Sequence, residues 1–279
     1  MPSARYKQKE SENALTPEAA NKLNEFFCAF AGAPRPLLLL DYDGTLADFR
    51  VDRFKARPWA GVPSLLADIQ QQGRTRIAII TGRPPEEIAP MLALDPPIEV
   101  WGLHGAKRLY PDGHWEMEQA ELRVLQTLEA LRAQLKRDSL GGLVEDKPNA
   151  AVMHWRGHSP AASKRIEQRT RALLEPLAQM DGLRLLEFEA GLELRVGRDK
   201  GGAVRELLRE AAPGAPVTFL GDDLTDEEAF RAINQADGPR LSVLMRRQWR
   251  ETAAQLWLRP PADLRTFLVR WMQAVKGKN

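Results

Sequence analysis

Leu37-Leu38-Leu39-Leu40-Asp41-Tyr42-Asp43-Gly44-Thr45 is the stretch on which the reading of this chain turns. A short aliphatic run, preceded by the turn residues Gly32-Ala33-Pro34 and stopped abruptly by an aspartate, reads as a strand buried on both faces. The form recurs at Ile77-Ala78-Ile79-Ile80 before Thr81-Gly82-Arg83, and at Val217-Thr218-Phe219-Leu220 before Gly221-Asp222-Asp223. Helical stretches lie between these runs: Val62 to Gln72, Pro85 to Leu94 and Gly202 to Ala211. Buried strands that alternate with helices predict a parallel sheet with helices on both faces. In such open sheets ligands bind at the carboxyl ends of the strands. All three runs end there in polar, charged or glycine residues.

Outward from this frame, Thr16-Pro17-Glu18 reads as a helix start, with Leu23, Phe26, Phe27 and Phe30 on one apolar face. Residues 111–190 have a different texture. Leu122 to Leu135 is helical, with Leu122, Leu125, Leu128, Leu131 and Leu135 as the expected stripe, and Ser159-Pro160 opens a second helix through Leu177. Strand-like pieces surround them: Leu143 to Glu145, Ala151 to Trp155, Arg184 to Phe188 and Leu192 to Val196. This pattern predicts a smaller α+β cap over residues 111–190, set on a core of residues 1–110 and 191–279.

Among the 279 residues, 40 Lys and Arg nearly balance 38 Asp and Glu, 40 − 38 = +2, so charge gives no case for a nucleic-acid partner. The single Cys28 rules out an intrachain disulfide framework and a multi-cysteine zinc site. The first ten residues hold no apolar run that would serve as a signal peptide, and Leu37–Leu40, the longest purely aliphatic run, is far too short for a bilayer. A cytoplasmic monomer with no membrane association is the expectation.

Alternation along an extended segment puts Asp41 and Asp43 on one side, where they face a common pocket. Gly44 allows a sharp turn and Thr45 offers a hydroxyl to an anion. A carboxylate pair supports nucleophilic attack by one member and proton transfer by the other, and it suits a hard cation such as Mg2+. A plain turn with two solvated aspartates is the competing interpretation. An EF-hand is excluded by the placement of Gly44 and the lack of a closing Glu. Gly221-Asp222-Asp223-Leu224-Thr225-Asp226-Glu227-Glu228 supplies further carboxylates. Thr225 and Glu228 fit a capping box, which leaves Asp222 and Asp223 as candidate ligands. Thr81-Gly82-Arg83 reads alone as a helix cap. Lys200, in Arg198-Asp199-Lys200-Gly201-Gly202, reads as a surface charge or as an anion-binding ammonium at a helix start. Arg246-Arg247-Gln248-Trp249-Arg250 reads as a solvated helix face.

The order and spacing of these four pieces resemble the haloacid dehalogenase superfamily of Mg2+-dependent phosphohydrolases. Gly102-Leu103-His104-Gly105-Ala106, Glu145-Asp146-Lys147 and His154-Trp155-Arg156 further resemble the pattern of trehalose-6-phosphate phosphatases, over about residues 37–230. Trp155 stands where Tyr is common in that family and reads as packing. The resemblance implies a Rossmann-like parallel-sheet core with a cap that closes as a lid. It implies Mg2+ held by Asp41, the Asp43 backbone carbonyl and Asp222, with Asp223 close by. Asp41 would be the nucleophile, Asp43 the general acid and base, and Thr81 and Lys200 the holders of the phosphoryl group. Thr45, Gly82, Arg83, His104, Gly105, Glu145, Lys147, His154 and Glu193 would bind a small-molecule sugar phosphate. The alternatives are a phosphatase for sucrose phosphate or mannosyl-3-phosphoglycerate, or a non-catalytic phospho-acceptor of the receiver type.

Overall fold

The computed structural model describes residues 16–50, 52–119, 121–137, 141–147, 150–180, 182–188 and 190–277. In chain order, α1 (Pro17–Cys28) leads into β1 (Leu37–Leu40), α2 (Val62–Gln71), β2 (Arg76–Ile80), α3 (Pro85–Leu92) and β3 (Glu99–Gly102). A hairpin of β4 (Lys107–Leu109) and β5 (Trp115–Met117) follows, then α4 (Leu122–Arg137), β6 (Val144–Lys147), β7 (Ala150–His154), α5 (Pro160–Leu174), β8 (Leu183–Phe188) and β9 (Gly191–Val196). The chain continues through α6 (Lys200–Glu210), β10 (Val217–Gly221), α7 (Glu227–Gln235), β11 (Arg240–Met245), β12 (Leu256–Leu258) and α8 (Ala262–Lys276).

Eight strands form the large sheet in the order β12-β11-β10-β1-β2-β3-β4-β5. Pairing is parallel from β12 to β3, and antiparallel from β3 to β4 and from β4 to β5 at one edge. The Leu37–Leu40 run lies at its centre between β10 and β2, which is why it carries no polar residue. Leu38 and Leu40 point into a core with Phe26, Phe27, Phe267 and Trp271 of α1 and α8. Leu37 and Leu39 point the other way, towards Val204, Leu207 and Phe230 of α6 and α7. The Thr16 hydroxyl accepts from the Ala19 N–H at 3.2 Å and caps α1 as the sequence predicts.

The second sheet is antiparallel, in the order β6-β7-β9-β8. Its apolar face, with Ala151, Met153, Leu192, Leu194 and Val196, packs on α4 and α5. The stripe expected on α4 is displaced: Leu122 is 70% and Leu125 37% exposed, and Val124 is buried with Leu128, Leu131 and Leu135. A spacing of three drifts off a helix face of period 3.6, and Val124 compensates. β5 extends the large sheet beyond residue 111, and β9, which covers the strand-like piece Leu192 to Val196 read beside the cap helices, is the third strand of the small sheet. Among the described residues no helix is long and apolar enough to cross a membrane.

Candidate active site

The carboxyl ends of β1 and β10, adjacent in the sheet, bring Asp41 and Asp222 together. Asp41, Asp222 and Asp226 each present an oxygen within 4.8 Å of the others, and all three are buried. Asp226 is the third member of this cluster, where the sequence pointed to Asp223. The reason is local. Asp223 caps the turn after β10, its carboxylate accepting from the Leu224 N–H at 2.7 Å, and Asp226 closes the capping box in place of the expected Thr225–Glu228 pair. The Asp43 carboxylate does not join the cluster either. It receives two bonds from Arg83, at 2.6 Å from Nε and 2.5 Å from Nη2.

Lys200 is not a surface charge. It is 3% exposed at the start of α6, which Asp199 caps through the Gly202 N–H at 2.7 Å. Its ammonium donates to Asp41 Oδ1 and Asp226 Oδ1, both at 2.6 Å. Asp226 Oδ2 accepts from the N–H groups of Asp222 and Asp223, at 2.8 and 2.9 Å. Both oxygens of Asp226 are therefore in use, which leaves Asp41 Oδ2 and the Asp222 carboxylate open. Asp222 Oδ1 is buried with no hydrogen-bond partner, as is the Thr45 hydroxyl. Asp222 also lies flush against Gly44, where a Cβ would come within 2.2 Å of its Oδ2 at a φ of +83°.

Three buried carboxylates facing one ammonium leave negative charge uncompensated. Burial pushes the Asp41 carboxyl up from 3.8 to about 7, against the pull of Lys200. Burial, followed by the Asp41 charge, pushes Asp222 up to about 10. On Lys200 burial opposes the charge, yet Asp226 and Asp41 outweigh it and hold its pKa above the ordinary lysine value. Hard oxygen donors with surplus negative charge and an unpartnered buried oxygen fit Mg2+. A stability prediction follows. Between about pH 4 and the raised folded-state values, the folded chain binds more protons at these two groups than the unfolded chain, so stability falls as pH rises. Melting in EDTA should show a midpoint that drops from about pH 5 to pH 9. Mg2+ should flatten the curve, and Asp222→Asn should lessen the drop. An EDTA curve identical in Asp222→Asn and the parent would contradict this charge balance.

The end of β2 forms the adjacent wall. Thr81 is buried, and its hydroxyl accepts from the Arg83 N–H at 3.2 Å. His104 lies in a left-handed turn (φ 58°) after β3; its N–H donates to the Thr81 carbonyl at 2.8 Å. Its ring lies against Gly82, where a Cβ would meet Nε2 at 2.6 Å. Gly105 is buried against Ala203 of α6.

The polar face of the small sheet carries the cap residues. Register pairs Glu145 with Val152, Val152 with Glu193, and His154 with Gly191, so Glu145, His154 and Glu193 share the face opposite the apolar one. Glu145 Oε2 and His154 Nε2 are 2.8 Å apart. Lys147 closes β6 opposite Ala150, and its side chain lies outside the described residues. This face turns towards the large sheet: Arg195, two residues beyond Glu193, donates to the Leu103 carbonyl at 2.5 Å.

A central sheet, an aspartate at the end of its middle strand and a capping sheet define a haloacid dehalogenase-like architecture. A Bacillus subtilis structure described as a haloacid dehalogenase-like hydrolase superposes with a TM-score of 0.57 at 16% identity, over 84% of this chain and 98% of that one. The Aspergillus fumigatus trehalose-6-phosphate phosphatase superposes with a TM-score of 0.72 at 24% identity, over 90% of this chain and 97% of that one. At these identities both likenesses establish the fold. The trehalose-phosphatase family model matches residues 39–258, and the chain belongs to that family. Trehalose-phosphate phosphatase from Mycobacterium marinum is 34% identical over 252 residues, covering 85% of this chain and 61% of that protein. The Mycobacterium tuberculosis protein of the same name is 30% identical over 248 residues, with the same coverage of each chain. The chain thus spans about 61% of the length of these curated relatives.

Proposed function

We propose that this protein hydrolyses trehalose 6-phosphate to trehalose and phosphate through an aspartyl-phosphate on Asp41. The observation that carries this reading is the buried Asp41 carboxylate, with one oxygen held by Lys200 and the other left open beside Asp222. Family membership and the name shared by the mycobacterial relatives support the substrate.

In this mechanism Asp41 Oδ2 attacks phosphorus in line, and the bond from phosphorus to the sugar oxygen breaks. Asp43 takes up a proton from solvent when Arg83 releases one of its oxygens, and gives that proton to the sugar oxygen. Asp43 then takes a proton from water, whose oxygen attacks phosphorus; the bond to Asp41 breaks and phosphate leaves. Arg83 holds Asp43 until the substrate phosphate offers the guanidinium a second anionic partner, which frees a carboxylate oxygen for proton transfer. Thr81 and Lys200 hold the transferring group. Asp41 and Asp222 would hold Mg2+, with the Asp43 backbone carbonyl as a further ligand; when bound, the ion neutralises charge that builds on the phosphoryl oxygens. Asp226 orients Lys200 and the Asp222 loop.

Glu145, His154 and Glu193 on the cap face, with Lys147 on the same strand as Glu145, would hydrogen-bond the sugar hydroxyls, and closure of the cap would exclude water. Glu145→Ala should therefore lower kcat/KM for trehalose 6-phosphate by about 10- to 100-fold, the worth of a hydrogen bond to a charged group. Hydrolysis of p-nitrophenyl phosphate, which has no sugar, should change little. Equal losses on both substrates would remove the assignment of this face to the sugar.

A further inference from the structure

The basic run at residues 246–250 does not form a solvated helix face. It lies in the connection between β11 and β12, at the same edge of the sheet as the acidic cluster. Parallel pairing of β10 with β11, which sets Gly221 opposite Leu244, sends the chain out of both strands side by side. Arg250 turns back across that gap. Its Nη2 donates to the Asp223 carbonyl at 2.6 Å and its Nε to the Asp222 carbonyl at 3.3 Å. Arg246 Nη1 reaches the same Asp222 carbonyl at 3.4 Å. The Arg250 guanidinium is itself fixed by Glu227 at the head of α7. Glu227 also accepts from the Thr252 hydroxyl at 2.8 Å and the Ala253 N–H at 2.7 Å, which ties the second loop to the first.

We propose that Arg250 is a positioning residue for Asp222. The Asp222 carboxylate has a buried oxygen without a hydrogen-bond partner, so no side-chain contact at that oxygen sets its direction. Its aim is inherited from the backbone. Asp226 pins that backbone from the N–H side, at Asp222 and Asp223. Arg250 pins the same two residues from the carbonyl side, and its planar fork spans both carbonyls at once. The tight approach of Asp222 to Gly44 leaves little tolerance for a displaced loop. The inference rests on the reading of Asp222 as a cation ligand, and it adds a residue that touches neither cation nor substrate.

The test is calorimetric titration of the full chain with Mg2+ alone, accompanied by melting in EDTA. Loss of an outer partner of a metal ligand typically lowers affinity by about 10- to 100-fold, and Arg250→Gln should weaken Mg2+ binding by that order. Arg250→Lys, whose single ammonium cannot span both carbonyls, should fall between Arg250→Gln and the parent. Asp222→Asn is run in parallel. Unchanged Mg2+ affinity in Arg250→Gln with weakened affinity in Asp222→Asn would overturn the positioning role alone. Unchanged affinity in both would remove Asp222 as a ligand, and the positioning role with it. If Arg250→Gln does not fold, the folded Arg250→Lys protein decides: weakened binding supports the role, and parent-like binding overturns it.

Discussion

Asp41→Asn is expected to lower steady-state phosphate release by about 10⁴-fold or more, the scale seen when a nucleophile is removed from a concerted site. An amide cannot attack phosphorus, and no other described carboxylate takes its position at the end of β1. The loss should occur in a protein that remains folded. The Asn oxygen can still accept from the Lys200 ammonium, now 2.6 Å from Asp41 Oδ1. The substitution also replaces one of three crowded, buried carboxyl groups with a group that carries no charge at any pH. The melting midpoint in EDTA should therefore hold or rise. Phosphate release by the variant, followed over many turnovers beside its circular dichroism, checks both halves. Sustained turnover by a folded Asp41→Asn protein would contradict covalent catalysis at this residue.

Lys200→Met is expected to damage folding as well as activity. The methionine nearly matches the lysine stem in volume, so the change removes charge and leaves the packing. Asp41, Asp222 and Asp226 would then face one another without an ammonium among them. Breaking a buried ion pair by deleting one partner costs about 3–5 kcal/mol. Urea denaturation in EDTA should show a loss of that order, and Mg2+ should restore part of it by compensating the same carboxylates. Adding Asp41→Asn to Lys200→Met should recover some stability, because the two side chains share one interaction. A Lys200→Met protein as stable in EDTA as the parent would show that the ammonium does not balance this cluster.

The centre of the fold is legible in the sequence because β1, β2 and β10 are buried on both faces and read as unbroken aliphatic runs. The edges are harder to read. β3 contains Glu99, a residue that argues against a buried strand in sequence. Folding brings Arg76 and Arg108 to it, with the bond from Arg108 at 2.8 Å and that from Arg76 Nε at 2.9 Å. The short β4, β5 and β12 have too few residues for a period to show. At the site, Asp41, Lys200 and Asp222 are marked by their place after a strand or at a helix start. Asp226 is hidden by capping grammar: several residues of the acidic loop satisfy the same local pattern, and only the approach of Lys200 shows which one faces inward. The direction of Arg250 is likewise invisible in sequence, since it depends on β10 and β11 lying side by side.

Phosphate release from trehalose 6-phosphate, sucrose 6-phosphate, mannosyl-3-phosphoglycerate and glucose 6-phosphate, each with Mg2+ or EDTA, tests the central claim most directly. The account predicts repeated turnover that requires Mg2+ and a kcat/KM highest for trehalose 6-phosphate. Release limited to one phosphate per chain, turnover undiminished in EDTA, or a clear preference for another sugar phosphate would contradict it.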